Sequence, residues 1–71
     1  MNWIKVGRNI SIELIRRGKT KTQLANEIGL APESVCRYCN GKREPRLYWF
    51  YKIAKVLGCT MDSLMEGCDE E

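Results

Sequence analysis

The chain has 71 residues, of which 12 are lysine or arginine and 9 are aspartate or glutamate, and its net charge at pH 7 is +3. A chain of this length forms one domain with a small core, which buries only about 60% of the unfolded surface. No apolar run approaches the roughly 20 residues of a membrane helix, and the N-terminus lacks the apolar region of a signal peptide. We therefore expect one small cytoplasmic domain that does not enter a membrane.

The charge is unevenly distributed along the chain. Residues 1–58 carry all 12 basic residues and four acidic ones, whereas residues 59–71 carry five acidic residues and no basic one. A basic body is the electrostatic footprint of a protein that binds a polyanion, although a solvated basic surface would have the same balance. Nucleic acid would repel the acidic end.

Four cysteines in so short a chain could form a disulfide framework, but that inference requires a secreted protein. Cys36 and Cys39 form a C-x-x-C pattern, whereas Cys59 and Cys68 are nine residues apart and the chain has no histidine. A zinc site would need a second close pair of ligands. We therefore predict reduced thiols, no metal and no cofactor.

The first predicted helix spans about residues 3–17. Gly7 weakens it locally, so its first turn is expected to fray. Arg16-Arg17-Gly18 ends it, because cations suit the negative end of a helix and glycine suits its exit. The apolar residues at helical spacing are Trp3, Val6, Ile10 and Leu14, with Ile15 beside them.

The second predicted helix spans about residues 21–28. Thr20 is a hydroxyl N-cap, and Leu24 and Ile28, four residues apart, lie on one face. Gly29 ends this helix, because a left-handed residue costs least when it has no Cβ.

The third predicted helix spans about residues 32–40, and only two residues separate it from the second. Pro32 suits its first turn, where a missing N–H costs nothing. Val35 and Tyr38 give it an inward face, and Asn40-Gly41 stops it. Two short helices that meet in such a tight turn are a helix-turn-helix signature.

A basic loop, Lys42-Arg43-Glu44-Pro45, precedes a fourth helix at about residues 46–57. Thr60 then caps a short fifth helix at about residues 61–66. The domain is predicted to cover residues 1–66, and residues 67–71 are predicted to be a disordered acidic tail. The residues expected to be buried by the fourth helix are Leu47, Phe50, Ile53, Ala54 and Leu57.

This pattern resembles the phage-repressor-like (Cro-type, Xre-type) helix-turn-helix family over about residues 9–66. The resemblance implies an all-α, compact five-helix lambda-repressor-like fold; the alternative is a generic small helical bundle. The matching residues of the motif are Leu24, Ala25, Ile28, Gly29, Leu30 and Val35, followed by Asn40-Gly41-Lys42 and Pro45. Farther along they are Leu47, Phe50, Ile53, Ala54, Leu57, Gly58, Met61, Asp62 and Leu64.

In this family the third helix lies in the major groove, and its first residues face the base edges. The matching positions are Pro32, Glu33, Ser34 and Arg37. Arg37 can donate two hydrogen bonds to a guanine, or alternatively contact a phosphate. Glu33 can accept from cytosine, or simply complement the helix dipole. Ala31 occupies the position of the family's usual Ser or Thr N-cap and offers no side-chain cap.

Phosphate contacts are expected on both sides of this helix. The second helix begins with free N–H groups at Thr20 and Lys21, which form a ready anion site. On the other side lie Asn40, Lys42, Arg43 and Arg46.

Many family members pair an arginine in the first helix with a glutamate before the Asn-Gly. By match to the motif these positions are Leu14 and Cys39, so both charges are absent here. Replacing both partners of a buried ion pair with apolar groups is tolerable, whereas replacing one partner leaves the other charge buried without a counter-charge. We therefore expect Leu14 and Cys39 to meet in an apolar core.

Adjacent aromatic residues stand at positions of the fourth helix that the family usually leaves polar. The resemblance places a dimer contact around the start of this helix and the loop after it. The interface candidates are therefore Tyr48, Trp49, Cys59 and Met61, with core packing of Trp49 against the first helix as the alternative.

The resemblance implies a regulator of transcription, a repressor by preference, that binds a double-stranded DNA operator as a weak homodimer. An alternative is an antitoxin or adaptor that uses the same fold to bind a protein. With no histidine, no glycine-rich phosphate loop and no paired carboxylates, an enzyme is not expected.

Overall fold

The computed structural model describes residues 2–68 as five helices, and this range contains no strand. The helices are α1 (Trp3–Arg16), α2 (Lys21–Ile28), α3 (Pro32–Cys39), α4 (Leu47–Leu57) and α5 (Met61–Leu64). The predicted all-α, five-helix fold is confirmed, and every predicted helix end lies within two residues of the observed one. Between residues 2 and 68 no helix combines the length and apolar character required to cross a bilayer.

Three of the five helices begin at a side-chain cap. Thr20 and Gln23 form a capping box, in which the Thr20 hydroxyl accepts from the Gln23 N–H and the Gln23 carbonyl accepts from the Thr20 N–H. The predicted cap at Thr60 is also present, since its hydroxyl accepts from the Ser63 N–H at 3.0 Å. At α1 the Asn2 side chain accepts from the N–H groups of the first turn. The prediction of a fraying first turn is wrong, because Asn2 caps that turn.

All five helices contribute to one apolar core, and no polar or charged residue among residues 2–68 is buried. The two longest helices supply seven of its 15 residues at helical spacing, and α2 and α3 supply six. The buried residues of α1 and α4 are Val6, Ile10, Leu14, Phe50, Ile53, Ala54 and Leu57. Those of α2 and α3 are Leu24, Ala25, Ile28, Val35, Tyr38 and Cys39.

Gly7 marks the place where α1 crosses the end of α3. It is buried, and a Cβ at this position would collide with the backbone carbonyl oxygens of Tyr38 and Cys39. Glycine is therefore required here by the close approach of two backbones. The contact positions the C-terminal end of α3 directly against the core helix.

Leu47, which the sequence predicts to be buried, lies on the surface, and so does Ile15. Leu47 is 74% exposed, because it is the first residue of α4, and Pro45 in the preceding loop is buried instead. Ile15 is 78% exposed, because it lies beside the apolar stripe of α1 rather than on it.

The C-terminal boundary also differs from the prediction. Cys68, which was assigned to the disordered tail, is fully buried, and its carbonyl accepts from the Asn2 N–H at 2.7 Å. Asn9 holds the same turn, since its amide donates to the carbonyls of Leu64 and Glu66 at 2.9 and 3.2 Å. The turn therefore belongs to the folded body. The remainder of the predicted tail, residues 69–71, lies outside the described residues.

Leu14 and Cys39 are both buried in the one core cluster, as predicted. Ser11, one turn before Leu14 on α1, lies close to the Cys39 thiol. A direct contact between Leu14 and Cys39 stays a prediction.

Gly7→Ala is expected to destabilise the fold, although alanine is intrinsically the better helix former by about 1 kcal/mol. The added methyl group must push two backbones apart, and overpacking of this kind costs about 1–3 kcal/mol. Arg8→Ala, at the exposed neighbouring position, is the control and should change the free energy of unfolding by no more than about 0.5 kcal/mol. Urea titration followed by circular dichroism measures both. A Gly7→Ala protein as stable as the wild type would contradict this account of the crossing.

Candidate nucleic-acid interface

The side chains of α3 and of its C-cap residue lie on a buried face and an exposed face. Val35 and Cys39 are buried in the core. Glu33, Arg37 and Asn40 are exposed and follow one another at helical spacing. Within residues 2–68 neither Glu33 nor Arg37 forms an ion pair or a side-chain hydrogen bond. This exposed surface, which we call the outer face, has its charged groups free for a ligand.

The predicted base-reading residues are therefore not equivalent. Pro32, Glu33 and Arg37 are exposed at or near the outer face. Ser34 is half-buried, and it lies with Tyr38 and Trp49 in a recess between α3 and α4. The first three can approach a flat surface directly, whereas Ser34 can reach only what enters the recess.

The beginning of α3 lacks a side-chain cap, as the sequence predicts. Ala31 has the extended backbone of an N-cap residue (φ −72°, ψ 145°), but its methyl group accepts no hydrogen bond. Its carbonyl accepts from the Ser34 N–H at 3.0 Å, and Pro32 stands at the first helical position. The geometry of the turn therefore comes from the backbone and from proline.

The start of α2 lies near the last residue of α3, since the charge of Lys21 acts on the Cys39 thiol. The capping box uses the N–H groups of Thr20 and Gln23, and the Leu24 N–H bonds to the Thr20 carbonyl. Within the described chain the N–H groups of Lys21 and Thr22 have no acceptor. They lie at the positive end of the helix dipole, which suits a phosphate.

Three further cations follow the last turn of α3. Lys42, Arg43 and Arg46 are exposed, and within residues 2–68 none of them pairs with a carboxylate. The Lys42 N–H donates to the Arg37 carbonyl at 3.0 Å, so this loop continues directly from the last turn of α3. The loop cations are therefore held beside the outer face.

Other cations are neutralised locally. Lys19 bonds to both carboxylate oxygens of Glu27, at 2.8 and 2.9 Å. Arg16 and Arg17 both pair with Glu13, at 3.1 and 3.6 Å. The unpaired positive charge is therefore concentrated more strongly around α3 than the sequence alone indicates.

The four predicted interface residues do not form one surface. Tyr48 is 60% exposed on α4, and Cys59 and Met61 line a mostly apolar groove of about 500 Å³ between α4 and α5. Trp49 is half-buried and faces Ser34 and Tyr38 rather than this groove. Tyr51, which the sequence analysis missed, lines the groove and is 51% exposed.

No disulfide joins two cysteines of residues 2–68. The same range contains no group of three or more potential ligands that could hold a metal ion. Burial raises the pKa of the Cys39 thiol, although the Ser11 hydrogen bond and the charge of Lys21 act in the opposite direction. Partial burial and the nearby Glu13 likewise raise the pKa of the Cys59 thiol.

Comparison with known proteins identifies the family of the chain. The sequence profile of the helix-turn-helix family matches residues 8–64. An uncharacterised helix-turn-helix-type transcriptional regulator of Archaeoglobus fulgidus is 35% identical over 54 residues, which cover 76% of this chain and 77% of that protein.

Two solved structures have the same fold. The restriction-modification controller protein C.AhdI of Aeromonas hydrophila superposes with a TM-score of 0.83 at 24% identity, over 87% of this chain and 94% of that one. The clp gene regulator ClgR of C. glutamicum superposes with a TM-score of 0.84 at 15% identity, over 92% and 84% of the two chains.

The fold, the outer face of α3 and the flanking cations define a DNA-binding transcriptional regulator of the helix-turn-helix type. The chain belongs to the Xre- and Cro-like helix-turn-helix family.

Ala31→Ser should stabilise the domain by about 0.5–2 kcal/mol, because residue 31 already has the backbone geometry of a cap and lacks only the acceptor. Thr20→Ala is the matched control at α2 and should cost a similar amount, since it removes the hydroxyl of the capping box. Thermal and urea unfolding measure both effects. If Ala31→Ser fails to raise stability, the Ser34 N–H is not accessible to a side chain at residue 31.

Proposed function

We propose that this chain binds a double-stranded DNA operator in a sequence-specific manner, as a dimer, and represses transcription from the adjoining promoter. The observation that carries the proposal is the outer face of α3, where Glu33 and Arg37 have no partner within the described chain and cations flank them. In a helix-turn-helix protein this is the helix that enters the major groove.

Arg37 is the best candidate for reading a base. Its guanidinium is exposed, and its fork can donate to both O6 and N7 of one guanine. Glu33, one turn earlier on the same face, could accept from the amino group of a cytosine. Pro32 offers only apolar contact, for example with a thymine methyl group.

The phosphate contacts would come from the two flanks. The free N–H groups at Lys21 and Thr22 would hold one stretch of backbone, and Asn40, Lys42 and Arg43 the other. These contacts set the position of α3 on the duplex, whereas sequence preference depends on the outer face. Repression requires only that the bound domain occupy the promoter.

The dimer is proposed to form through the groove between α4 and α5. Its lining combines the apolar surfaces of Tyr51, Cys59 and Met61 with the opposite charges of Lys55 and Asp62. In a two-fold arrangement Lys55 of one copy can face Asp62 of the other. Because the groove is small, we expect a weak dimer that assembles on the operator.

Arg37→Ala and Lys42→Ala should separate base reading from phosphate contact. On a duplex selected from a random pool, Arg37→Ala should cost about 1–3 kcal/mol and relax the preference at one base pair. Lys42→Ala should weaken binding to selected and random duplexes about equally. It should also reduce the slope of log affinity against log salt concentration by about one for each protomer.

The measurement is a competition binding assay at 50 and 200 mM salt. Between these concentrations the wild-type dimer should lose about 10³–10⁵ in affinity if it contacts six to ten phosphates. A flat salt response would contradict DNA binding of this kind and favour a protein partner. If Arg37→Ala lowers the affinity for selected and random DNA equally, Arg37 contacts a phosphate and not a base.

Tyr51→Ala should reduce cooperative binding to two half-sites and shift sedimentation equilibrium toward monomer, because it removes the aromatic wall of the proposed interface. Monomer stability should barely change, since Tyr51 is half exposed. Ile15→Ala removes an apolar side chain that is 78% exposed on α1, and it should change neither property. Unchanged cooperativity in Tyr51→Ala would place the dimer contact elsewhere.

A further inference from the structure

A recess of about 320 Å³ lies between α3, the loop after it and the start of α4. Its walls include the hydroxyl-bearing Ser34 and Tyr38, the indole of Trp49, and the charged side chains of Arg43, Glu44 and Arg46. The volume is at the lower end of small-molecule sites, which measure about 300–1,000 Å³.

Tyr38 carries the inference. Its side chain is only 5% exposed, and within residues 2–68 its hydroxyl has no hydrogen-bond partner. No fully buried side-chain oxygen or nitrogen in the described chain lacks a partner, so the Tyr38 hydroxyl keeps some accessible surface. Tyr38 is one of the residues that line the recess. A tyrosine buried this deeply normally gives its hydroxyl an acceptor.

The neighbouring groups indicate the chemistry of that acceptor. Ser34 lies one turn before Tyr38 on the same face of α3, and its hydroxyl also has no partner in residues 2–68. Arg43 and Arg46 add two guanidinium groups, and neither forms an ion pair with Glu44. Hydroxyl donors beside two guanidinium groups fit an oxyanion, and the net charge of the lining remains positive.

The remaining walls fit such a ligand. The N-cap residue of α4, Arg46, forms no side-chain cap in the described chain, and the first turn of α4 has no acidic residue. The positive end of the α4 dipole is therefore left without a negative group of its own helix. Trp49 is half-buried and provides an apolar wall against which an organic group attached to the oxyanion could pack.

We propose that this recess is an oxyanion site of the phosphate class, bound through the hydroxyls of Tyr38 and Ser34 and the guanidinium groups of Arg43 and Arg46. The phosphate belongs either to a free small molecule or to the DNA backbone, and only the second case rests on the proposed function. A free phosphate here would neutralise two cations beside α3 and lower the affinity for DNA, and DNA would lower the affinity for phosphate by the same factor.

The test compares the wild type with Tyr38→Phe, which removes only the hydroxyl and keeps the ring in the core. Inorganic phosphate is titrated against chloride at constant ionic strength, and amide and indole NMR shifts of the full chain report binding. We expect a saturable change confined to the recess, weakened at least about tenfold in Tyr38→Phe, because a hydrogen bond to a charged group is lost. Ser63→Ala removes an exposed hydroxyl from α5, outside the recess, and is the control.

The DNA affinities of the same proteins in chloride distinguish the sources of the phosphate. A loss in Tyr38→Phe on selected and random duplexes alike assigns the recess to a backbone phosphate. Weaker phosphate binding with unchanged DNA affinity assigns it to a free ligand. If Tyr38→Phe changes neither affinity, the proposal is overturned. Failure of the wild type to bind DNA would refute the proposed function but leave the phosphate titration valid.

Discussion

The geometry of this domain depends on the close crossing of α1 over the end of α3. At Gly7 the two backbones approach until no Cβ can be inserted between them, and the carbonyls of Tyr38 and Cys39 form the opposing surface. Gly29 has a left-handed backbone (φ 83°) and ends α2. The two-residue turn after Gly29 then fixes the N-terminal end of α3. A helix held at both ends in this way presents its outer face in one orientation, as preorganised binding requires.

The same crossing places Cys39 in an apolar part of the core. Cys39 lies beside Gly7, its thiol is close to Ser11, and Leu14 is buried in the same core cluster. Burial raises the pKa of this thiol, which therefore remains neutral at pH 7. A neutral group avoids the desolvation cost of a buried ion, and no charged residue is buried among residues 2–68.

Helix positions were predictable because each depends on neighbours in sequence. Thr20, Gly29 and Thr60 act through hydrogen bonds and backbone angles within one turn, so the sequence reveals them directly. The periodicity of apolar residues could not show which residues from distant parts of the chain pack against a helix. The burial of Cys68 depends on contacts with α1 made by a segment more than 50 residues away, and the role of Gly7 depends on α3. Within the candidate site, the exposed cations could be predicted from the sequence. The position of Ser34 beside Trp49 could not, because it depends on how α3 packs on its neighbours.

Packing also sorts the charges of this small domain. α5, which carries Asp62, packs on α4 and α1, whereas α3 packs mainly on α2 and α1. Three of the cations outside this region are held by carboxylates, since Glu13 pairs with both Arg16 and Arg17 and Glu27 pairs with Lys19. The cations after α3 have no such partner within the described chain. These cations would attract a polyanion to the surface that carries the exposed Glu33 and Arg37. Lys5, Arg8, Lys52 and Lys55 also form no ion pair within residues 2–68, so this surface carries part of the unneutralised charge and not all of it.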